Sequence, residues 1–356
     1  MKLLIAGGGT GGHVFPALAV AREWLSRGAE REVVFVGTER GMEAKLVPQA
    51  GFPLETIRAA GLRGIGGMRL ARNAALLLPA LWDSAGIFRR HRFVAGFSTG
   101  GYVAGPVMLV AALHSLPTVT FEPNADLGFT NRVLARMVTR VATAFTSPDA
   151  RWSRKVVVTG CPVRQEFFDC APRAPAAPFR ILITGGSQGS LPINRAVVDA
   201  LDRLVVRKKE LSIVHQTGER DYNAVRVAYA RREWQAEVVP FLSDMGERFC
   251  QADLIVSRSG AITVAEIAAA GRPAVFIPFG AATESHQLHN AQVLERAGAA
   301  RVIPQAELTP ERLVNEILSL LDHPERLREM GTRARQLARP RATQDIVDLI
   351  EEVARR

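Results

Sequence analysis

Lys2-Leu3-Leu4-Ile5-Ala6-Gly7-Gly8-Gly9-Thr10-Gly11-Gly12-His13 opens the chain, and Arg180-Ile181-Leu182-Ile183-Thr184-Gly185-Gly186-Ser187-Gln188-Gly189 repeats its plan in the second half. Each stretch reads as a short apolar strand, a glycine loop and the start of a helix. The first helix is expected near residues 13–27 and the second up to about 207. Working outward, further apolar runs fall at 33–36, 94–96, 118–120 and 156–158, then at 212–215, 237–239, 254–256 and 274–277. Continuous apolar runs separated by helical periods predict parallel sheets covered on both faces. The fold class expected is α/β, with two similar doubly wound domains. Residues 169–178, Asp-Cys-Ala-Pro-Arg-Ala-Pro-Ala-Ala-Pro, read as a linker. The domains are expected at 1–163 and 164–340, and the stretch 341–356 after Pro340 as a helix that packs back on the first.

The 356 residues are 47% hydrophobic and 22% charged, which excludes a disordered, collagen-like or coiled-coil chain. Cys161, Cys170 and Cys250 form no metal-ligand spacing and no disulfide framework, so a reducing cytoplasm is expected. The start of the chain supplies one strand's worth of apolar residues and reads as no signal peptide. No apolar run reaches the roughly 20 residues that span a bilayer. The net charge of +10 is unevenly placed. Residues 1–163 hold 19 Lys and Arg against 10 Asp and Glu, a balance of +9, which leaves +1 for the remainder. A basic first half points to an anionic partner: a lipid surface, a phosphorylated substrate or nucleic acid. No helix-turn-helix, RNA-binding aromatic signature or zinc finger is visible, so no nucleic acid partner is expected.

Backbone N–H groups at a strand-to-helix glycine turn attract phosphate, aided by the helix dipole. Gly7, Gly9 and Gly12 fit such a turn formally, Ser187 adds a hydroxyl donor to the second loop, and Thr99-Gly100-Gly101-Tyr102 forms a third cluster at another strand end. A nicotinamide enzyme would want an acidic residue about 20 positions after the first loop, and Glu39 comes late. In Ser257-Arg258-Ser259-Gly260-Ala261-Ile262-Thr263-Val264-Ala265-Glu266, Ser259 or Gly260 is expected to cap a helix, and Glu266 could hold both hydroxyls of a ribose. The chain contains no Asp-x-Asp. A nucleotide diphosphate would therefore be neutralised by amides, helix dipoles and arginines such as Arg164, with no metal required.

Seven motifs appear in order: Gly8-Gly9-Thr10-Gly11-Gly12-His13, Gly100-Gly101-Tyr102-Val103, Glu122-x-Asn124, Gly160-x-Pro162-Val163-Arg164, Gly185-Gly186-Ser187-Gln188-Gly189, Arg258-Ser259-Gly260-Ala261-x-Thr263-x-x-Glu266 and His286-Gln287-x-x-Asn290-Ala291. Together they resemble the MurG family, the bacterial N-acetylglucosaminyltransferases of peptidoglycan synthesis in glycosyltransferase family 28. The resemblance covers nearly the whole chain. It implies a GT-B fold, two Rossmann-like domains around a cleft. It implies UDP-N-acetylglucosamine as donor, lipid I as acceptor, and lipid II and UDP as products, formed with inversion at the cytoplasmic face of the inner membrane. By the same resemblance Thr10, Gly11, Gly12, Asn124, Arg164, Ser187, Leu242, Ala261, Ile262, Thr263, Val264, Ala265, Glu266 and Gln287 bind the donor. Gly100, Gly101 and Tyr102 help to hold the acceptor's pyrophosphate. A related GT-B transferase with another lipid or small-molecule acceptor is the alternative.

Two positions depart from that family. Phe121 stands where it usually has a histidine, and Glu284-Ser285 where it often has two aspartates. Inverting transfer needs a base for the acceptor hydroxyl. His13, at a helix start that favours its neutral form, is the candidate base, and Glu122 is the alternative. His91, His114, His215, His289 and His323, with Trp24, Trp152 and Trp234, match no motif and read as structural. A membrane surface is expected around the apolar run 74–82, with Leu77, Leu81 and Trp82 dipping into the interface. Arg72 flanks it, and Arg136 and Arg140 share a helical spacing with Arg132.

Overall fold

The computed structural model describes residues 1–60, 75–146, 154–280 and 285–355. The chain divides into two compact units, Met1–Pro162 with Arg339–Arg356, and Val163–Ala338. The first unit holds the strands Lys2–Gly7 (β1), Glu32–Gly37 (β2), Leu54–Thr56 (β3), Ala95–Gly100 (β4), Thr118–Glu122 (β5), Arg140–Thr143 (β6) and Val156–Val158 (β7). They form a parallel sheet in the order β3-β2-β1-β4-β5-β6-β7. Ile5 sits opposite Phe35 on one side and Phe97 on the other. Leu3, Leu4, Ile5 and Ala6 have no exposed surface, which is what a strand covered on both faces requires. The helix Gly101–Leu113 turns Val103, Val107 and Met108 into that core.

The second unit repeats the scheme with Phe179–Thr184 (β8), Leu211–Gln216 (β9), Ala236–Val239 (β10), Leu254–Ser257 (β11), Ala274–Phe276 (β12) and Ala300–Val302 (β13). Their parallel order is β10-β9-β8-β11-β12-β13. In both sheets the first strand lies inside and the order reverses beside it, between β1 and β4 and between β8 and β11. Open α/β sheets bind ligands at the carboxyl ends of such switch points. Two parallel α/β units of this kind agree with the fold class read from the sequence.

Several expectations are corrected. The segment 169–178 is no free tether. Arg173 pairs with Asp253, and Cys170 is joined to Cys250 in a disulfide, which ties the segment to the second unit. The cysteine pattern hid this bond because 80 residues separate the two positions, while Cys161 is buried and its Sγ donates to the carbonyl of Pro162 at 3.8 Å. Arg140 does not continue the helix of Arg132. That helix runs Phe129–Leu134, and Arg140 opens β6. Lys155 Nζ donates to the carbonyls of Ala135, Arg136 and Val138 at 3.2, 3.2 and 2.9 Å, which satisfies the chain as it leaves the helix. Strands β3, β6 and β13 were not anticipated, and β3 and β13 are edge strands in which only Ala300 is fully buried.

The final helix, Ala342–Ala354, belongs to the first unit and packs on the helix Gly11–Ser26. It buries Ile346, Val347, Ile350 and Val353. Arg27 bridges to Asp348 at 2.6 Å and Glu351 at 3.2 Å, and Arg31 to Glu351 at 2.7 Å.

Candidate functional site

In the first unit the loop after β1 leads into the helix Gly11–Ser26, with Thr10 as its extended N-cap residue. His13 Nδ1 lies 3.1 Å from the carbonyl oxygen of Gly8. A carbonyl only accepts, so Nδ1 carries the proton and Nε2 presents its lone pair. Burial holds His13 below its ordinary value of 6.5, against the opposing pull of the Gly8 carbonyl and of the charges on Glu122 and Glu43. Burial, rather than the helix end, is thus the leading cause of its neutrality.

The third glycine cluster locks onto the first. Gly101 has φ +81°, and a Cβ there would stand 2.7 Å from the oxygen of Gly8. The Tyr102 ring lies against Gly9, and its hydroxyl is 3.3 Å from Thr38 Oγ1. Glu122 is buried, and both its oxygens are occupied. Oε1 accepts from the backbone N–H and side-chain amide of Asn124 at 3.0 and 2.8 Å. Oε2 accepts from Gly128 N at 2.7 Å and Asn131 Nδ2 at 3.0 Å. Those bonds make it an organiser of the loop after β5. Phe121 is wholly buried in β5, so the position where the family often carries histidine faces the core.

In the second unit the loop after β8 is held by neutral groups. Thr184 Oγ1 accepts from Gly186 N at 3.2 Å, and Gln216 Nε2 donates to Gly186 O at 3.0 Å. Ser187 is exposed at the loop tip. Ser190, where the helix Leu191–Leu204 begins, has a buried hydroxyl with no partner among the described residues. After β11 the helix Ala261–Ala270 starts at Gly260 with no side-chain cap, which corrects the expected role of Ser259. Ser259 Oγ instead donates to the carbonyl of Gln287 at 2.8 Å, and Gln287 Oε1 accepts from Phe279 N at 3.0 Å. Ala261 and Val264 point into the core, so they offer backbone only, with Ile262, Thr263 and Ala265 part-exposed between them. Glu266 follows on the same helix, and burial pushes its carboxyl up to about 7 although Arg164 pulls it down. Arg164 is exposed and pairs with Glu166 at 2.8 Å, and Leu242 is buried.

Of the expected membrane residues, Leu77 and Trp82 are exposed on the helix Leu77–Arg90, Leu81 is half-buried, and Arg72 lies outside the described residues. Arg89 stacks over Trp82 at 5.6 Å. Leu78 on the same helix is 77% exposed, and Leu113 and Phe129 on other helices are also exposed. Arg136 is exposed, whereas Arg140 is half-buried and lies 3.8 Å from Glu352. No helix among the described residues is long and apolar enough to cross a membrane, and none of their His, Cys, Asp and Glu groups converges as a metal site.

Sequence reasoning missed Glu43, Thr38, Asn131, Ser190 and Gln216. A signal for Glu43 was present: Gly37 and Gly41 shortly precede it in the chain, and a side chain at either would overlap its side chain.

Residues 3–143 match the glycosyltransferase family 28 N-terminal domain and residues 180–349 its C-terminal domain. A UDP-N-acetylglucosamine--N-acetylmuramyl-(pentapeptide) pyrophosphoryl-undecaprenol N-acetylglucosamine transferase of Solibacter usitatus is 46% identical over 99% of this chain and 96% of its own length. The transferase of the same name from Myxococcus xanthus is 43% identical, over 98% of this chain and 92% of its own. The crystal structure of Acinetobacter baumannii MurG superposes with a TM-score of 0.81 at 35% identity and covers 99% of both chains. A glycosyltransferase of kitacinnamycin, at 20% identity and a TM-score of 0.77 over 99% of both chains, shares the fold. With both halves matched and identity above 40% along its length, the chain belongs to glycosyltransferase family 28.

Proposed function

We propose that this protein moves N-acetylglucosamine from UDP-N-acetylglucosamine to the C4 hydroxyl of the N-acetylmuramoyl unit of lipid I, undecaprenyl-pyrophosphoryl-N-acetylmuramoyl-pentapeptide. The products are lipid II and UDP, with inversion at the anomeric carbon, in the synthesis of peptidoglycan. The observation that carries this reading is the identity of 41–46% to full-length relatives that all bear the name of that transfer.

In this reading Val163–Ala338 is the donor unit and Met1–Pro162 the acceptor and membrane unit. Glu266 accepts the ribose hydroxyls, Leu242 lies by the uracil, and Gln287 binds the sugar. The amides of Gly185–Gly189 and of the Ala261–Ala270 helix start, with Ser187 and Arg164, take the diphosphate's charge as UDP leaves. Asn124, Thr10, Gly11 and Gly12 complete the donor contacts. Gly100, Gly101 and Tyr102 hold the acceptor's pyrophosphate. His13 Nε2 takes the C4 hydroxyl proton as the oxygen attacks C1 in line. The saturated bonding of Glu122 favours His13 over it as the base. No metal is required for donor binding.

The exposed Leu77 and Trp82, with Arg136 on a neighbouring segment, support peripheral attachment to anionic lipid at the cytoplasmic face of the inner membrane. The Leu77→Glu, Trp82→Glu double variant should lose anionic vesicles while still binding UDP. The function itself is tested by incubating the protein with radiolabelled UDP-N-acetylglucosamine and a lipid I analogue in excess EDTA. Label should pass to the lipid. No transfer with or without Mg²⁺ would sink the acceptor assignment, and transfer that needs Mg²⁺ would sink the amide account of the leaving group.

A further inference from the structure

Glu43 has no exposed surface, and among the described residues no Lys or Arg pairs with it. Its Oε1 accepts from the backbone N–H and hydroxyl of Thr38 at 3.0 and 2.9 Å, and its Oε2 accepts from Gly9 N at 2.8 Å. Side chains at Gly8 or Gly41 would overlap the carboxylate and one at Gly37 the Cγ of Glu43, so three glycines make its room. A buried charge held by neutral donors alone is costly to keep.

What it does is visible on the far side of the peptide it binds. The N–H of Gly9 and the C=O of Gly8 belong to one peptide group, and that carbonyl is the acceptor of His13 Nδ1 at 3.1 Å. A continuous chain therefore runs from His13 Nδ1–H to Gly8 C=O, through the peptide to Gly9 N–H, and on to Glu43 Oε2. We infer that Glu43 is a positioning residue for His13, acting through the Gly8–Gly9 peptide group. The inference deepens the reading of His13 as base and rests on it.

A carboxylate that accepts from a peptide N–H polarises the peptide and makes its carbonyl a stronger acceptor. The stronger acceptor pins the proton on Nδ1 and keeps Nε2 bare. In the reaction the hydroxyl proton passes to Nε2 as the new C1–O bond forms, and the old C1–O bond breaks with its electron pair leaving on UDP. The ring is then a cation, which the polarised peptide stabilises. The carboxylate of a Ser-His-Asp triad plays the same part by direct contact. Gly101 lets the Gly8 carbonyl and the ring approach, and Tyr102 closes over Gly9. The charged groups that face the ring are Glu43 and Glu122, and the latter acts by charge alone because its oxygens are occupied.

The test is a double-mutant cycle of Glu43→Gln and His13→Ala in the transferase assay across pH. Glu43→Gln should lower kcat about 10-fold or more, by less than the His13→Ala loss, with KM for the donor little changed. The acid limb of kcat/KM should move to lower pH, since the ring loses a charge that favours its protonated form. In the His13→Ala background the same change should leave kcat nearly untouched. An equal fall in both backgrounds, or an unmoved acid limb, overturns the inference and leaves the base assignment standing. A loss of only a few-fold in His13→Ala overturns both. Nitrogen-15 NMR on the unaltered protein decides the matter if Glu43→Gln does not fold: His13 should carry its proton on Nδ1, and a proton on Nε2 overturns the inference.

Discussion

Beneath the glycine loop after β1 lies a carboxylate, and beneath the loop after β8 lie only hydroxyls and amides. Both loops follow the first strand of their sheet, and both lead into a helix. Their backbones could serve the same ligand. Glu43, however, consumes the N–H of Gly9 and sets a negative charge behind it, which opposes a phosphate at that point. Thr184 and Gln216 stiffen the second loop without charge, and the Ser190 hydroxyl is left unpaired beside its amides. On the proposed function, one backbone device thus serves proton transfer in the first unit and anion holding in the second. The supports beneath the loop decide which.

The largest effect that would break this comparison is at His13. His13→Ala should cut kcat by roughly 10²–10⁴-fold with donor affinity little altered. Because burial holds His13 below 6.5 in the fold, wild-type kcat/KM should fall on acidification only below that value, where the neutral base is lost. A drop of a few-fold, or an acid limb above 6.5, would put the proton chemistry elsewhere.

The second unit should instead show its titratable group in stability. His215 is buried between Tyr229 and Asn194, with its nitrogens 3.2 and 3.1 Å from their oxygens, and burial holds it at about 3. As pH falls the unfolded chain takes up a proton before the folded one. The stabilisation is therefore complete above 6.5 and is lost toward 3, by about 5 kcal/mol. Urea midpoints of wild type and His215→Gln across that range check it. Parallel pH dependence in the two proteins would rule the histidine out.

Glu266 sharpens the comparison on the anion-holding side. Glu266→Ala should weaken UDP binding by ~1–3 kcal/mol, since two hydroxyls lose a charged acceptor. With its carboxyl at about 7, the ionised form grows as pH rises through that value. Wild type should therefore gain affinity for UDP relative to Glu266→Gln over that range, and calorimetry at several pH values reads the difference. The smallest effect belongs to the basic first unit. Arg136→Ala should weaken binding to anionic vesicles by about 1 kcal/mol at low salt and by nothing measurable at high salt. Sedimentation with vesicles tests it, and an unchanged affinity would move the membrane surface away from this segment.

Much of the fold was legible because it is written locally. An unbroken apolar strand, a glycine turn and a helical period announce a covered parallel sheet within a few residues, and so β1, β2, β8 and β11 lie where the sequence placed them. The edge strand β3 was not legible, since its three residues, none of them fully buried, carry no pattern. The same limit applies to Arg140. Four-residue spacing suggested a helix face, yet the helix ends at Leu134, and the carbonyls that follow it bond Lys155, 17 to 20 positions away, just before a later strand.

By itself, then, the sequence determined the two glycine-loop units, the uneven charge, the placement of His13 at a helix start and of Glu266 one to two turns into another helix, and the family. All of these rest on neighbours in the chain or on motifs in order. Only the tertiary structure decided what surrounds those residues. It brought Glu43 under Gly9, 34 positions away, joined Cys170 to Cys250, filled both oxygens of Glu122 and turned Phe121 into the core. Burial and hydrogen-bond geometry depend on distances between elements distant in sequence, and those distances exist only once the sheets have formed.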